Sequence, residues 1–240
     1  MFEDALRFPW HGERKAETLL IGGVLTLLSV LFLPGLFVYG YLVRVVRRTA
    51  AGEDDAPPRF GEWGERLVDG LLAFVISTLY FLVPAIVVAG GALLFLVPVT
   101  VAGGGADTGA GLLALAGGVL ALVTVVLSLV LVLAASYLVP AAVAAYARTG
   151  RFGSAFSPAI LRPIATDGRY ATGWVVAVIV GFLAQVVASV VSATGIGLVL
   201  VPFVLFYGYV AAAYAIGLGV AEFDIGAERD EETPASRPAV

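Results

Sequence analysis

The sequence predicts an all-α fold, a polytopic transmembrane helix bundle of about five long, kinked spans. Three observations predict it. Apolar residues make up 60 % of the chain and charged residues 13 %, with a mean hydropathy of +0.99, against about 45–50 % and about 25 % in soluble domains. Several apolar runs exceed the ~20 helical residues that cross a ~30 Å hydrocarbon core. Arginines gather at the borders of those runs. A chain this apolar cannot cover a water-facing surface, so the bilayer is its expected solvent. The expected organisation is an interfacial segment at 1–17, the bundle at 18–221 and an acidic, disordered tail at 222–240.

The apolar segments run roughly over 18–46, 67–100, 112–146, 172–194 and 197–221. The first begins near Thr18, after Glu3, Asp4, Glu13 and Glu17, and is too long for a signal-peptide core, so no cleavable signal is expected. The first three segments are longer than one crossing needs and must tilt or bend. Proline removes one helical hydrogen bond and clashes with the preceding turn. Pro34, Pro84, Pro140 and Pro202 are therefore the expected kinks, with Pro98 near the end of the second segment.

Charge sets the expected sidedness. Arg44, Arg47, Arg48, Arg59 and Arg66 fall in the loop at 44–66; Arg148, Arg151, Arg162 and Arg169 fall in the loop at 147–171. The short loops at 101–111 and 193–197 carry no basic residue. The positive-inside rule then puts both arginine-rich loops and the C-terminus in the cytoplasm of a cell-membrane protein. With five spans the N-terminus lies outside, although it carries Arg7, Arg14 and Lys15. The alternative is a re-entrant hairpin broken at Pro34, with both of its ends inside.

A phrase recurs. Pro34 is followed by Tyr39-Gly40-Tyr41, and Pro202 at the same offsets by Tyr207-Gly208-Tyr209; Pro140 precedes Tyr146 more loosely. Arg48-Thr49 precedes RFG at 59–61, and Arg148-Thr149 precedes RFG at 151–153. This suggests a helix–loop–helix duplication with a closing helix. Tyr39, Tyr41, Arg44, Arg47, Arg48, Trp63, Arg148, Arg151, Tyr207 and Tyr209 are the expected interfacial anchors, since aromatic and basic side chains favour the headgroup region. Phe2, Leu6 and Trp10, and likewise Phe152, Phe156, Ile160 and Ile164, repeat every four residues and read as amphipathic segments on a leaflet surface.

The fourth segment spaces Gly173, Ala177, Gly181, Gln185, Ser189, Ala193 and Gly197 four apart, read as a helix-packing seam. Tyr207, Ala211, Ala215 and Gly219 offer a partner face. Gln185, the only amide in the apolar core, is expected to bond to a neighbouring helix.

No constellation carries chemistry. With no cysteine, disulfides and thiolate sites are excluded. No ionisable residue lies deep in a span, which speaks against ion-coupled transport. His11 is the only histidine; it has Glu13 and Glu17 nearby but no ligand pattern. Asp54-Asp55 and Glu62 with Glu65 lie among arginines and read as a solvated mixed-charge loop. GGGADTG at 103–109 lacks the Lys-Ser/Thr of a P-loop. Dispersed arginines do not form a nucleic-acid face. No catalytic residue, cofactor or metal is expected, and the chain is read as no enzyme.

The phrases RFPWHGERKAETLLIGGVLTLLS, FLPGLFVYGYLVRVVRRTAAGEDDAPPRFGEWGERLVDGL and PFVLFYGYVAAAYA resemble the haloarchaeal domain-of-unknown-function family 4013. That resemblance implies an archaeal multi-pass membrane protein and supplies no catalytic residues. A single lysine, Lys15, beside many acids fits a halophile's salt-rich cytoplasm. The expected partners are the lipid bilayer and a second copy or another membrane protein, with no nucleic acid. The expected role is a non-enzymatic scaffold, assembly factor or partner subunit. The alternative is a permease or channel for a small neutral or apolar solute, with a polar cavity near Pro34, Pro84, Pro140, Tyr80 and Gln185.

Overall fold

The computed structural model describes residues 1–12, 14–53, 55–102 and 108–223; for 94–102, 108–114 and 196 the description is of the backbone alone. Glu13, Asp54, most of GGGADTG and the tail from Asp224 onward lie outside the described residues. The helices are α1 (Phe2–Arg7), α2 (Lys15–Leu27), α3 (Leu33–Ala50), α4 (Trp63–Ala102), α5 (Thr108–Thr149), α6 (Pro158–Thr166), α7 (Gly168–Ser192) and α8 (Val201–Gly219). Among the described residues there is no strand. Four stretches are long and apolar enough to cross a membrane: Trp63–Leu93, Leu115–Thr149, Gly168–Ser192 and Gly197–Gly219. An all-α transmembrane bundle is what the composition demands, but the number of such stretches is about four.

The correction falls on the first apolar segment. It is not one kinked span. α2 ends in a 3-10 turn at Leu28–Leu31, and Phe32 follows with φ 66° and ψ −57°. That left-handed backbone turns the chain back. Gly22 and Gly23 of α2 lie against Phe206 and Phe203, so α2 runs against α8. Tyr41 packs on Phe206 and Thr49 on Gly217, so α3 runs with α8. α2 and α3 are thus a helical hairpin, the arrangement that a break at Pro34 allows. At 13 residues α2 spans only about 20 Å.

The prolines act differently from one another. Pro34 and Pro202 do not kink helices; each sits in the first turn of one. There the missing N–H costs nothing, because the first amides of a helix lack intrahelical partners anyway. Pro140 lies inside α5, and Pro84 lies within the bounds of α4. The repeated phrase is therefore a helix start after a 3-10 turn, at Leu28–Leu31 and again at Ile196–Val199. The structural echo pairs the α2–α3 hairpin with the α7–α8 hairpin, rather than the spans that the sequence pairs.

The chain divides into two compact units, Met1–Ile76 with the chain from Pro140 onward, and Ser77–Val139. Of the four long apolar stretches the one that contains α8 is the most enclosed, with half of its most apolar part buried. Phe206, Val210, Ala211 and Ala215 are fully covered by α2, α3 and α7. The backbones come closest at glycines. Gly40 of α3 faces the Arg66 carbonyl, and Gly70 of α4 faces the Leu36 carbonyl, with no room for a methyl group. Gly173 of α7 lies against Ala215 and Gly219 of α8. In the second unit Gly91 closes against Thr124. Leu115, Val119, Leu122, Val126, Leu129 and Val130 around α5 are all exposed, as a lipid-solvated helix requires.

Gly70→Ala is expected to lower stability by about 1–3 kcal/mol, because the facing backbone must move. Gly64→Ala, in open space on the same helix, should be neutral or slightly stabilising. Thermal unfolding of the two variants in detergent, monitored by far-UV circular dichroism, checks the contrast.

Candidate functional site

The most concentrated polar chemistry lies where α3 and α5 end and α4 begins. Asp69, the seventh residue of α4, with its side chain 15 % exposed, receives both terminal nitrogens of Arg47, each at 3.2 Å. The Tyr146 hydroxyl donates to the same carboxylate at 2.6 Å, and Arg47 Nε donates to the Ala147 carbonyl at 2.7 Å. One carboxylate thereby joins three helices. Its position is set by helical phase: Gly70 turns toward α3, so its neighbour Asp69 turns toward Arg47 and Tyr146. A two-point arginine–carboxylate pair fixes orientation as well as charge. Sequence reasoning missed Asp69. The available signal was an acid three residues inside the second apolar segment, a position that needs a cation.

Arg66 is the second element. It lies in the first turn of α4, but its side chain is buried, 1 % exposed. Its guanidinium lies 5.4 Å and 5.0 Å from the ring centres of Tyr41 and Phe60. It donates to the carbonyls of Gly61, at 2.5 Å, and Arg59. This ties the 59–61 loop to the start of α4. Around it stack Tyr41 on Phe60, 4.5 Å between centroids, and Phe206 at 5.5 Å from Tyr41. Tyr41 is therefore core, not a headgroup anchor.

The remaining expected anchors separate into ties and free surface. Arg44 pairs with Glu62, whose carboxyl is held below its usual range by the hydrogen bond and charge of Arg44. Glu62 itself has φ 52° just before α4. Arg48 pairs with Glu53 at 2.9 Å, and Arg148 donates to the Val220 carbonyl at 2.6 Å. The Tyr207 hydroxyl donates to the Leu6 carbonyl. Tyr39, Trp63, Arg151 and Tyr209 are exposed. In the N-terminal stripe Phe2 and Trp10 are exposed and Leu6 is partly covered; Phe8, outside the stripe, stacks on Tyr214 at 4.2 Å. Phe152 and Phe156 are exposed and pack on each other, whereas Ile164 is buried.

The small-residue row of α7 does not stay on one face. Gly173 is buried and Ala177 and Gly181 are partly covered, but Gln185, Ser189 and Ala193 are exposed; Gly197 lies beyond the helix. Four residues advance a helix by more than one turn, so such a row rotates by about 40° per step. The face that meets α8 instead follows Tyr170, Gly173, Val176, Val180, Ala184 and Ala188. Gln185 does not reach a neighbouring helix. Its side-chain amide has no hydrogen-bond partner among the described residues, and only its carbonyl is engaged, by Ser189 Oγ at 2.8 Å.

These groups brace helices against each other. Among the described residues no three of His, Asp and Glu converge as a metal site would require.

The family described as "Protein of unknown function (DUF4013)" matches the chain over residues 24–193. No curated protein and no solved structure matches it.

Asp69→Ala is expected to cost about 1–3 kcal/mol, since it leaves Arg47 and Tyr146 facing nothing. Tyr146→Phe should cost about 1–2 kcal/mol. The double variant should lose less than the sum, because the two share one carboxylate. Urea unfolding in mixed micelles measures all three.

Proposed function

The chain belongs to the DUF4013 family, and we propose that this protein is a non-enzymatic, membrane-embedded subunit that works by associating with other membrane protein, in the first place a second copy of itself. The observation that carries this reading is Gln185. It is exposed on a helix with no charged residue between Arg169 and its C-terminal end. An amide facing hydrocarbon is costly unless it finds a partner. Gln carries both donors and an acceptor, so two copies related by a two-fold axis satisfy each other with the same residue. Partly covered Gly181 and exposed Ser189, one turn to either side, leave room for close approach.

The permease reading has less support. Among the described residues, two clefts open at the arginine-bearing end, and the residues that line them do not include Pro34, Pro84, Pro140, Tyr80 or Gln185. The positive-inside rule supports a cytoplasmic location for that end in a cell membrane. The lysine-poor, acid-rich composition supports a salt-rich archaeal cytoplasm.

Association is read by sedimentation equilibrium in density-matched detergent. The wild-type chain should dimerise, and Gln185→Leu should weaken the dimer about tenfold. In the otherwise cysteine-free chain, Ser189→Cys should form a disulfide between copies. A wild-type monomer, or a Gln185→Leu dimer of unchanged strength, would remove this reading.

A further inference from the structure

α7 leaves one of its sides open. The face that packs on α8 runs through Gly173, Val176, Val180, Ala184 and Ala188; there Gly173 meets Ala215 and Ala184 meets Gly208. At 3.6 residues per turn, Val175, Val178, Phe182, Gln185 and Ser189 fall about 150° around the helix from that face. All five are exposed, Phe182 at 67 %. Ser192, partly covered, continues the line at the last residue of the helix.

The steps along this side alternate between three and four residues: 175, 178, 182, 185, 189 and 192. That is the 3.5-residue repeat of helices that wrap around each other with a left-handed twist. It differs from the four-residue row that begins at Gly173, of which Gly181 and Ala193 border this seam without joining it. One half of the seam is apolar, Val175, Val178 and Phe182; the other is polar, Gln185, Ser189 and Ser192. The Ser189 and Ser192 hydroxyls each donate to a carbonyl of their own helix at 2.8 Å. Their lone pairs stay open to a further donor.

We propose that two copies of this chain pair in parallel along this seam of α7, with Gln185 set against Gln185 and the helices crossing left-handed. The seam rests on the self-association read from Gln185 and adds to it the face, the orientation and the register. A parallel pair related by a two-fold axis brings identical positions together in layers. In the Gln185 layer each amide finds a carbonyl for one N–H, and the Ser189 hydroxyl one turn away accepts the other. The apolar layers at Val178 and Phe182 supply close packing, which is what holds helices together in lipid. The polar layer fixes register, because a slip of one heptad toward the apolar half sets Gln185 against Val178 and leaves its amide unpaired in hydrocarbon.

Single cysteines along α7 of the otherwise cysteine-free, full-length chain test the proposal through their rates of oxidative cross-linking in proteoliposomes. Val178→Cys, Phe182→Cys and Ser192→Cys should link about tenfold faster than Gly181→Cys, Leu183→Cys and Ala193→Cys, because a disulfide needs Cβ atoms about 3.5–4.5 Å apart. Adding Gln185→Leu should slow the three fast positions. Faster linking at Gly181 and Ala193 than at Phe182 and Ser192 would overturn the seam and put the contact on the four-residue row. Equal rates at all six positions, or no linking at any, would overturn it as well. In each of these cases a wild type that still sediments as a dimer keeps the association and loses only the seam; a wild-type monomer removes both. Far-UV circular dichroism of each variant confirms that a slow rate is not unfolding.

Discussion

A guanidinium at the centre of a bilayer costs about 2.5–3.5 kcal/mol on insertion scales, and the fold answers that constraint everywhere. Arg44, Arg47, Arg48 and Arg148 fall in the last two turns of α3 and α5, Lys15, Arg66 and Arg169 at the start of α2, α4 and α7, and Arg7, Arg14, Arg59, Arg151 and Arg162 in the segments outside those helices. Contacts between Arg47 and Ala147, Arg148 and Val220, and Phe8 and Tyr214 bring those ends together. A fifth crossing would have carried Arg7, Arg14 and Lys15 to the other side. Reversal at Phe32 removes that conflict. The unusual backbone of Phe32 costs on the order of 1–3 kcal/mol.

Bracing follows from the same gathering of charge. In lipid there is little hydrophobic drive between helices, so packing and polar ties must hold them. α8 supplies small residues on which both hairpins close. Asp69, Arg47 and Tyr146 tie α3, α4 and α5 at their shared end. Arg66 uses its alkyl stem and cation against aromatic rings while its N–H groups fix the loop before α4. The end that must be polar is also the end where the helices are tied most firmly.

Much of this was legible in the residues, in uneven measure. Apolar length and arginine borders specify α4, α5, α7 and α8, since one such run admits one helix. The same rule misread the first segment. Its length fits one long span as well as a short hairpin, and only the misplaced Arg7, Arg14 and Lys15 hinted at the second. Pro34 and Pro202 were recognised as special, but proline breaks and begins helices by the same chemistry. The α7 row failed because i+4 spacing alone does not define a straight face. Asp69 was overlooked because its significance lies in Arg47 and Tyr146, which are distant in the chain.

In the unit formed by Met1–Ile76 and the chain from Pro140 onward, the charged helix ends lie together and are cross-braced. The most direct test is sidedness. Single cysteines at Glu3, Glu53, Gly153 and Gly195 of the cysteine-free chain, probed with a membrane-impermeant maleimide in sealed vesicles of known orientation, report it. The account predicts that Glu3, Glu53 and Gly153 label from one face and Gly195 from the other. Labelling of the Glu3 position from the same face as Gly195 would contradict it, because the first apolar segment would then cross the membrane instead of turning back.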